Sequence, residues 1–97
     1  MYAALGFAQF IAGRYTEALT SVDVAVREQP EYLLSKCIVA ASAALAGRLE
    51  EAQEAMRSVR RIDPTLRISN LRNLQVIKRT EDFARWQEGL RLAGLPE

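Results

Sequence analysis

The segment AGRYTEA, residues 12–18, returns 34 positions later as AGRLEEA, residues 46–52. Beyond this segment the match continues to Arg27/Arg61 and Pro30/Pro64. Aligning residues 1–30 with residues 35–64 gives seven identical pairs, whereas ordinary composition gives about two by chance. The chain therefore contains two copies of one unit that is 34 residues long.

Each copy is predicted to form two antiparallel helices joined at its glycine. Between residues 2 and 11 the apolar side chains fill both the i+3 and the i+4 spacings, which predicts a helix buried on most sides. Gly13 supplies the positive φ that ends this helix, and Thr16 is the predicted N-cap of the next one. The same spacing predicts helices over residues 33–46 and 50–62, with Gly47 between them.

The period and these positions resemble the tetratricopeptide (TPR) repeat family. The first copy carries the family's positions at Tyr2, Leu5, Gly6, Gly13, Tyr15, Ala18, Val22, Ala25 and Pro30. The resemblance implies an all-α fold, a TPR-like antiparallel helix-hairpin array that coils as a right-handed α-solenoid. One domain would then hold repeat 1 (residues 1–32), repeat 2 (residues 33–64) and a divergent capping helix pair (residues 65–97).

The third unit departs from the repeat. Ile68, Leu71 and Leu74 stand at helical spacing and predict a helix over residues 65–77. A second helix is predicted to open at Thr80 as its N-cap and to end at Gly94. Its apolar stripe is Phe83, Trp86, Leu90 and Ala93. Because a repeat array needs an atypical terminal unit, residues 65–97 are predicted to cap it.

The combination of two repeats and this closing unit resembles the C-terminal TPR tail of bacterial class III adenylate/guanylate cyclase-type multidomain proteins. The first helix begins with a full apolar face and no cap residue, so we expect a C-terminal fragment of a longer protein. A weak homodimer through the N-terminal apolar face is the alternative way to cover that face. The resemblance also leaves open a regulatory role, in which the segment is inert alone but positions or dimerises a cyclase domain.

Composition argues against an enzyme. The 97 residues include no histidine and one cysteine, and the net charge is +1. These counts remove the usual general base, the usual metal ligands and the ordinary nucleophile pairs. We therefore predict no catalytic residue, no metal, no cofactor, no small-molecule substrate, no specific nucleic acid and no membrane partner. The absence of a membrane span and of a signal peptide predicts a cytoplasmic protein.

In TPR proteins the first helix of each pair lines a groove, so the resemblance implies an apolar groove for a protein or peptide partner. Mapped onto this chain, it is lined by Ala3, Phe7, Phe10, Leu34, Ile38, Ala41, Leu45, Ile68, Leu71, Arg72 and Gln75. Family members that grip acidic chaperone peptides carry Lys and Asn at set positions, where this chain has Ala3, Phe7, Ile38 and Ile68. The groove should instead take an amphipathic helix or an apolar segment. The alternative is that these residues are core, covered by the chain's own helices or by a second copy.

Residues 57–79 carry a local net charge of +6, which could form a patch for an acidic partner. The patch comprises Arg57, Arg60, Arg61, Arg67, Lys78 and Arg79. No aromatic residue interrupts it, so a solvated helix surface is the favoured interpretation. Cys37 is predicted to be a buried structural thiol and Trp86 a core residue.

Overall fold

A computed structural model of the chain describes residues 2–74 and 79–97, without the side chains of residues 72–74. The described part is all-helical, which confirms the predicted fold class at that level. Its elements in chain order are α1 (Tyr2–Ile11), α2 (Tyr15–Glu28), α3 (Leu33–Leu45), α4 (Leu49–Ile62), a 3-10 helix (Ile68–Leu74) and α5 (Thr80–Ala93).

The first hairpin joins α1 to α2 through Gly13, whose φ of 81° is the positive value that the sequence requires. The two helices lie close together at Gly6, where an added Cβ would stand 3.2 Å from the carbonyl oxygen of Ala18. The predicted N-cap at Thr16 is wrong, because α2 begins at Tyr15 and Arg14 takes the cap position without a side-chain hydrogen bond.

The second hairpin repeats this geometry with α3, α4 and Gly47, whose φ is 83°. Its first helix, α3, is the centre of the molecule and packs against α2, α4, α5 and α1. This explains why Cys37, Ile38, Ala40, Ala41 and Ala43 are all fully buried. The small side chains allow neighbouring helices to approach α3 from several directions.

The α-helix predicted over residues 65–77 is wrong for residues 65–74, and residues 75–77 lie outside the described part. The chain instead makes a polar turn followed by the 3-10 helix. Asp63 Oδ1 accepts hydrogen bonds from the backbone N–H and the hydroxyl of Thr65, and Asn70 Oδ1 accepts one from the backbone N–H of Arg67. Short polar side chains that bond to the nearby backbone compete with α-helix in this way.

The last helix, α5, begins at Thr80 with Arg79 in the cap position and no side-chain cap bond, so the predicted cap at Thr80 is wrong by one residue. It ends at Gly94, whose φ of 114° suits glycine. The tail then binds back, because the backbone N–H groups of Ile68 and Ser69 donate to the carbonyls of Pro96 and Glu97. Most contacts of α5 are with α3 and fewer are with α4.

None of the helices described is both long enough and apolar enough to cross a membrane.

Candidate functional site

The surface where the groove was predicted is covered by α5. We call it the α1/α3 face and define it by Phe7 and Phe10 on α1 and by Ile38 and Ala41 on α3. The helices approach closely at Gly89, where an added Cβ would lie 2.9 Å from the carbonyl oxygen and 3.0 Å from the Cβ of Ala41. Ile38 and Ala41 are fully buried beneath this helix.

An aromatic cluster holds α5 to α1. The Trp86 ring meets the rings of Phe7 and Phe10 edge-on, with centroid distances of 5.3 and 5.4 Å. Tyr15 joins from the start of α2, with its ring centroid 5.5 Å from that of Phe10. Edge-to-face contacts at these distances are favourable beyond the apolar area that they bury. Trp86 is fully buried, which confirms its prediction as a core residue.

Arg85, the neighbour of Trp86, binds the first hairpin turn. Its Nη1 donates to the hydroxyl of Tyr15 (2.9 Å) and to the carbonyl of Phe10 (3.4 Å), and its Nη2 donates to the carbonyl of Ile11. These carbonyls belong to the last turn of α1, where the helix dipole is negative and free acceptors remain. A cation from α5 therefore caps α1.

Asp82 completes this contact from one turn earlier in α5. Its Oδ1 accepts a hydrogen bond from Arg85 Nη2 at 2.8 Å, and the carboxylate side chain is only 9% exposed. The hydrogen bonds to Asp82 and to Tyr15 raise the pKa of the Arg85 guanidinium above its usual value. Arg85 thus bridges α5 and the first hairpin turn while 34% of its side chain stays exposed.

Three buried polar side-chain atoms of the described residues lack hydrogen-bond partners, and one of them, Trp86 Nε1, belongs to α5. Trp86 Nε1, Ser35 Oγ and Ser42 Oγ are buried and have no hydrogen-bond partner in the described structure. A buried donor that lost water without gaining an acceptor weakens the packing that buried it. The position of α5 is consequently less stable than its apolar contacts alone would make it.

The predicted groove residues fall into three groups by burial. Phe10, Ile38, Ala41, Ile68 and Leu71 are buried. Ala3, Phe7, Leu34 and Leu45 are half-buried. The side chain of Arg72 and the whole of Gln75 lie outside the described residues. Of the α1/α3 face itself, Phe10, Ile38 and Ala41 are buried and Phe7 is half-buried, so α5 leaves little of it open to a partner.

The opposite side of α1 is exposed. We define the α1 outer face as Ala4, Leu5 and Ala8, with Tyr2 at its edge. Tyr2 is 43% and Leu5 is 48% exposed. One repeat later the matching positions of Leu5 and Ala8 are Val39, which is half-buried, and Ser42, which is fully buried.

The reason for this difference is the neighbour that α3 has and α1 lacks. Val39 lines a cleft of about 400 Å³ together with Leu19 of α2, which packs alongside α3. In the described structure no helix takes the corresponding place beside the α1 outer face.

The basic patch is dispersed. Arg61 pairs with Glu31 at 2.9 Å, Arg67 donates to the carbonyls of Pro64 and Leu66, and Arg79 pairs with Glu81 at 2.9 Å. Arg57 and Arg60 are exposed on α4 and have no ion-pair partner among the described residues. Lys78 lies outside the described residues. Of the five predicted cations that the structure describes, only Arg57 and Arg60 are therefore exposed without an ion-pair partner.

Cys37 is fully buried, which confirms its predicted place in the core. Burial, and to a smaller extent the nearby charge of Asp63, raises the pKa of its thiol to about 12. At neutral pH the thiolate needed for reaction with electrophiles is therefore absent. Within the described ranges no cluster of three acidic, histidine or cysteine side chains has the geometry to hold a metal ion.

Sequence analysis missed Arg85 and Gly89, the two residues that fit α5 to its place. Gly89 could have been noticed, because a glycine inside a helix, between Trp86 and Ala93, often marks a close approach. Arg85 carries no such signal, since its partners are two carbonyls and a hydroxyl about 70 residues away in the chain.

Comparison with known proteins adds no relative to this picture, as no family model, curated protein or solved structure matches the chain significantly.

Proposed function

We propose that this chain is a non-catalytic protein-interaction module of TPR-like helix hairpins, and that it associates with a second copy of itself through the α1 outer face. The observation that carries the proposal is the contrast between Leu5 and Ala8, which are exposed, and their repeat counterparts Val39 and Ser42, which are not. The matching face of α3 is covered within the molecule, so the exposed apolar face of α1 is the expected place for a partner helix.

The chemistry of this face suits helix packing. Ala4 and Ala8 are small enough to let another helix axis approach closely, while Leu5 and Tyr2 supply apolar side chains to bury. For identical copies, a two-fold pairing of the same face is the commonest arrangement. Because only two large side chains are available, we expect less than the roughly 800 Å² per partner of a standard interface, and a weak dimer.

Sedimentation over a range of protein concentrations tests this proposal. The wild type should associate as concentration rises, and Leu5→Glu should stay monomeric with an unchanged helical circular dichroism spectrum. Leu49→Glu is the matched control, because Leu49 is equally exposed (49%) but begins α4, away from the α1 outer face. A wild type that stays monomeric at high concentration, or two glutamate variants that behave alike, would contradict the proposal.

The phenylalanines of the same helix do not serve for this test. Phe10 is fully buried and Phe7 packs against Trp86, so a glutamate at either position would disturb the contact with α5.

A further inference from the structure

An open cleft lies between α2 and α4, with α3 beneath it; we call it the α2/α4 cleft. Both α2 and α4 pack on α3, but they make little or no contact with each other. The space between them measures about 400 Å³, which is a size that a ligand or a few side chains of a partner can fill. None of its described lining residues belongs to α1, so the cleft is distinct from the α1 outer face.

The apolar part of the lining comes from all three helices. Leu19 and Val26 of α2 line the cleft together with Val39 of α3 and Ala55 of α4. Ala55 is buried, and the other three side chains are half-buried. Half-buried aliphatic side chains lose further contact with water when a partner's apolar side chain lies against them, and this burial is favourable. The cleft therefore favours an apolar side chain as part of its occupant.

The charged part of the lining has one cation without an ion pair. Asp23 pairs with a neighbouring arginine at 2.9 Å, and Arg48 pairs with Glu51 at 3.6 Å. Lys36 of α3, by contrast, is half-buried and makes no ion pair with any described carboxylate. The pKa of the nearby Glu31 is lowered chiefly by a hydrogen bond from an arginine of α4 and least by the charge of Lys36. A carboxylate from a partner would supply the counterion that Lys36 lacks.

The cleft continues beyond Lys36. A second cleft of about 220 Å³ shares Val39 and Ala55 with the first and adds Glu54 and Ser58. A continuous channel suits an extended chain better than a compact molecule. Glu54 is exposed and has no ion-pair partner among the described residues, so it repels a second acid in the occupant.

We propose that the α2/α4 cleft binds an extended segment of a partner protein in which one acidic residue lies among apolar residues. The acid pairs with Lys36, and its apolar neighbours contact Leu19 and Val39. A run of acids is disfavoured, because carboxylates surround the single free cation. The proposal goes beyond the self-association described above and does not depend on it, since the α1 outer face takes no part.

Peptide selection followed by binding measurements tests the proposal. The selecting protein is the full chain with Leu5→Glu, so that association through the α1 outer face makes no contribution. The probe is a random heptapeptide library displayed on phage. The enriched peptides should share one acidic residue flanked by apolar residues. A synthetic peptide of that consensus should shift the backbone amide resonances of Leu19, Val39 and Ala55.

Substitutions then locate the acid of the peptide. Lys36→Gln should weaken binding by about tenfold or more, because it removes a charged hydrogen-bond partner, whereas Lys36→Arg should retain most of the affinity. Arg60→Gln is the matched control, because it removes an exposed and unpaired cation of α4 that does not line the cleft. It should leave the affinity unchanged. Circular dichroism of each variant establishes that the fold is the same.

A selection that enriches no peptides, or peptides without a shared acid, would overturn the proposal, as would equal affinities of the Lys36→Gln and Arg60→Gln variants. Octanoate that binds as tightly as the peptide would contradict it too, because the cleft would then be a site for a small apolar carboxylate. Self-association of the wild type that is lost in Lys36→Gln would make a second copy the occupant and would likewise overturn it.

Discussion

The two hairpin turns share the sequence Ala-Gly-Arg but have different surroundings. At the first turn, Arg85 of α5 reaches the carbonyls of Phe10 and Ile11 and the hydroxyl of Tyr15. At the second turn no atom of the described residues contacts a Cβ added to Gly47 within 4 Å, and Leu49, the counterpart of Tyr15, is 49% exposed. The repeated sequence thus specifies the turn, whereas α5, which is not repeated, decides which turn is covered.

The first helices of the two hairpins differ in the same way. α3 has helices on several sides and buries most of its residues, while α1 buries only one side and exposes its outer face. Equivalent positions therefore differ in burial because of their neighbours. Substitutions at matched positions of the two hairpins should consequently have unequal effects.

The largest expected effect is that of Trp86→Ala, which removes the side chain joining α5 to α1. Loss of a buried tryptophan costs about 3–5 kcal/mol of unfolding free energy, and chemical denaturation measures it. Leu92→Ala on the exposed side of α5 is the control and should change stability by less than about 0.5 kcal/mol. Equal effects of the two substitutions would mean that α5 is not packed through Trp86.

The next effect compares the two turns directly. Arg85→Ala should cost about 1–3 kcal/mol, because it leaves Asp82 and the last carbonyls of α1 with fewer partners. Arg48→Ala at the second turn removes only an exposed ion pair with Glu51 at 3.6 Å and should cost less than about 1 kcal/mol. If denaturation shows that Arg48→Ala costs as much unfolding free energy as Arg85→Ala, the difference between the two turns is refuted.

A smaller effect is the pH dependence of stability, which measures how deeply α3 is buried. Burial raises the pKa of the Cys37 thiol to about 12, so the thiol stays protonated in the folded chain while it ionises in the unfolded chain above pH 9. The contribution of the protonated thiol to the free energy of unfolding is complete below pH 9 and falls as the pH rises towards 12. At pH 10 the loss is about 1.4 kcal/mol.

In Cys37→Ala this loss should be absent, so the free energy of unfolding should fall less between pH 8 and pH 10 than it does in the wild type. Denaturation at both pH values measures the difference. The matched position on α1 is Ala3, which is half-buried. Ala3→Cys in the Cys37→Ala background should react with a thiol reagent faster than Cys37 does in the wild type. Similar reaction rates would show that α3 is no more enclosed than α1.

The smallest effect is that of Tyr15→Phe, which removes one acceptor of Arg85 and keeps the ring against Phe10. It should cost about 0.5–1.5 kcal/mol. Leu49→Phe, which places the same ring at the exposed counterpart, should be nearly neutral in the same denaturation experiment. A loss of stability at Leu49 as large as that at Tyr15 would contradict the comparison.

The sequence predicted most of the hairpins but not the arrangement of α5. Periodicity located α1 to α4 because their apolar spacing and their glycines act locally, as at Gly13 and Gly47. It failed at residues 65–74, where Asp63 and Asn70 bind the backbone and displace the α-helix. It left open what covers the α1/α3 face, because contacts such as Gly89 with Ala41 join residues that are distant in sequence.

Nuclear Overhauser effects from the indole of Trp86, the only tryptophan, test the central claim most directly. If α5 lies on the α1/α3 face, the indole protons should show cross-peaks to the rings of both Phe7 and Phe10, whose centroids are 5.3 and 5.4 Å away. The α protons of Gly89 should likewise show cross-peaks to the methyl group of Ala41. An indole with cross-peaks only to residues of α5 itself, and with the chemical shift of a solvent-exposed tryptophan, would contradict the account.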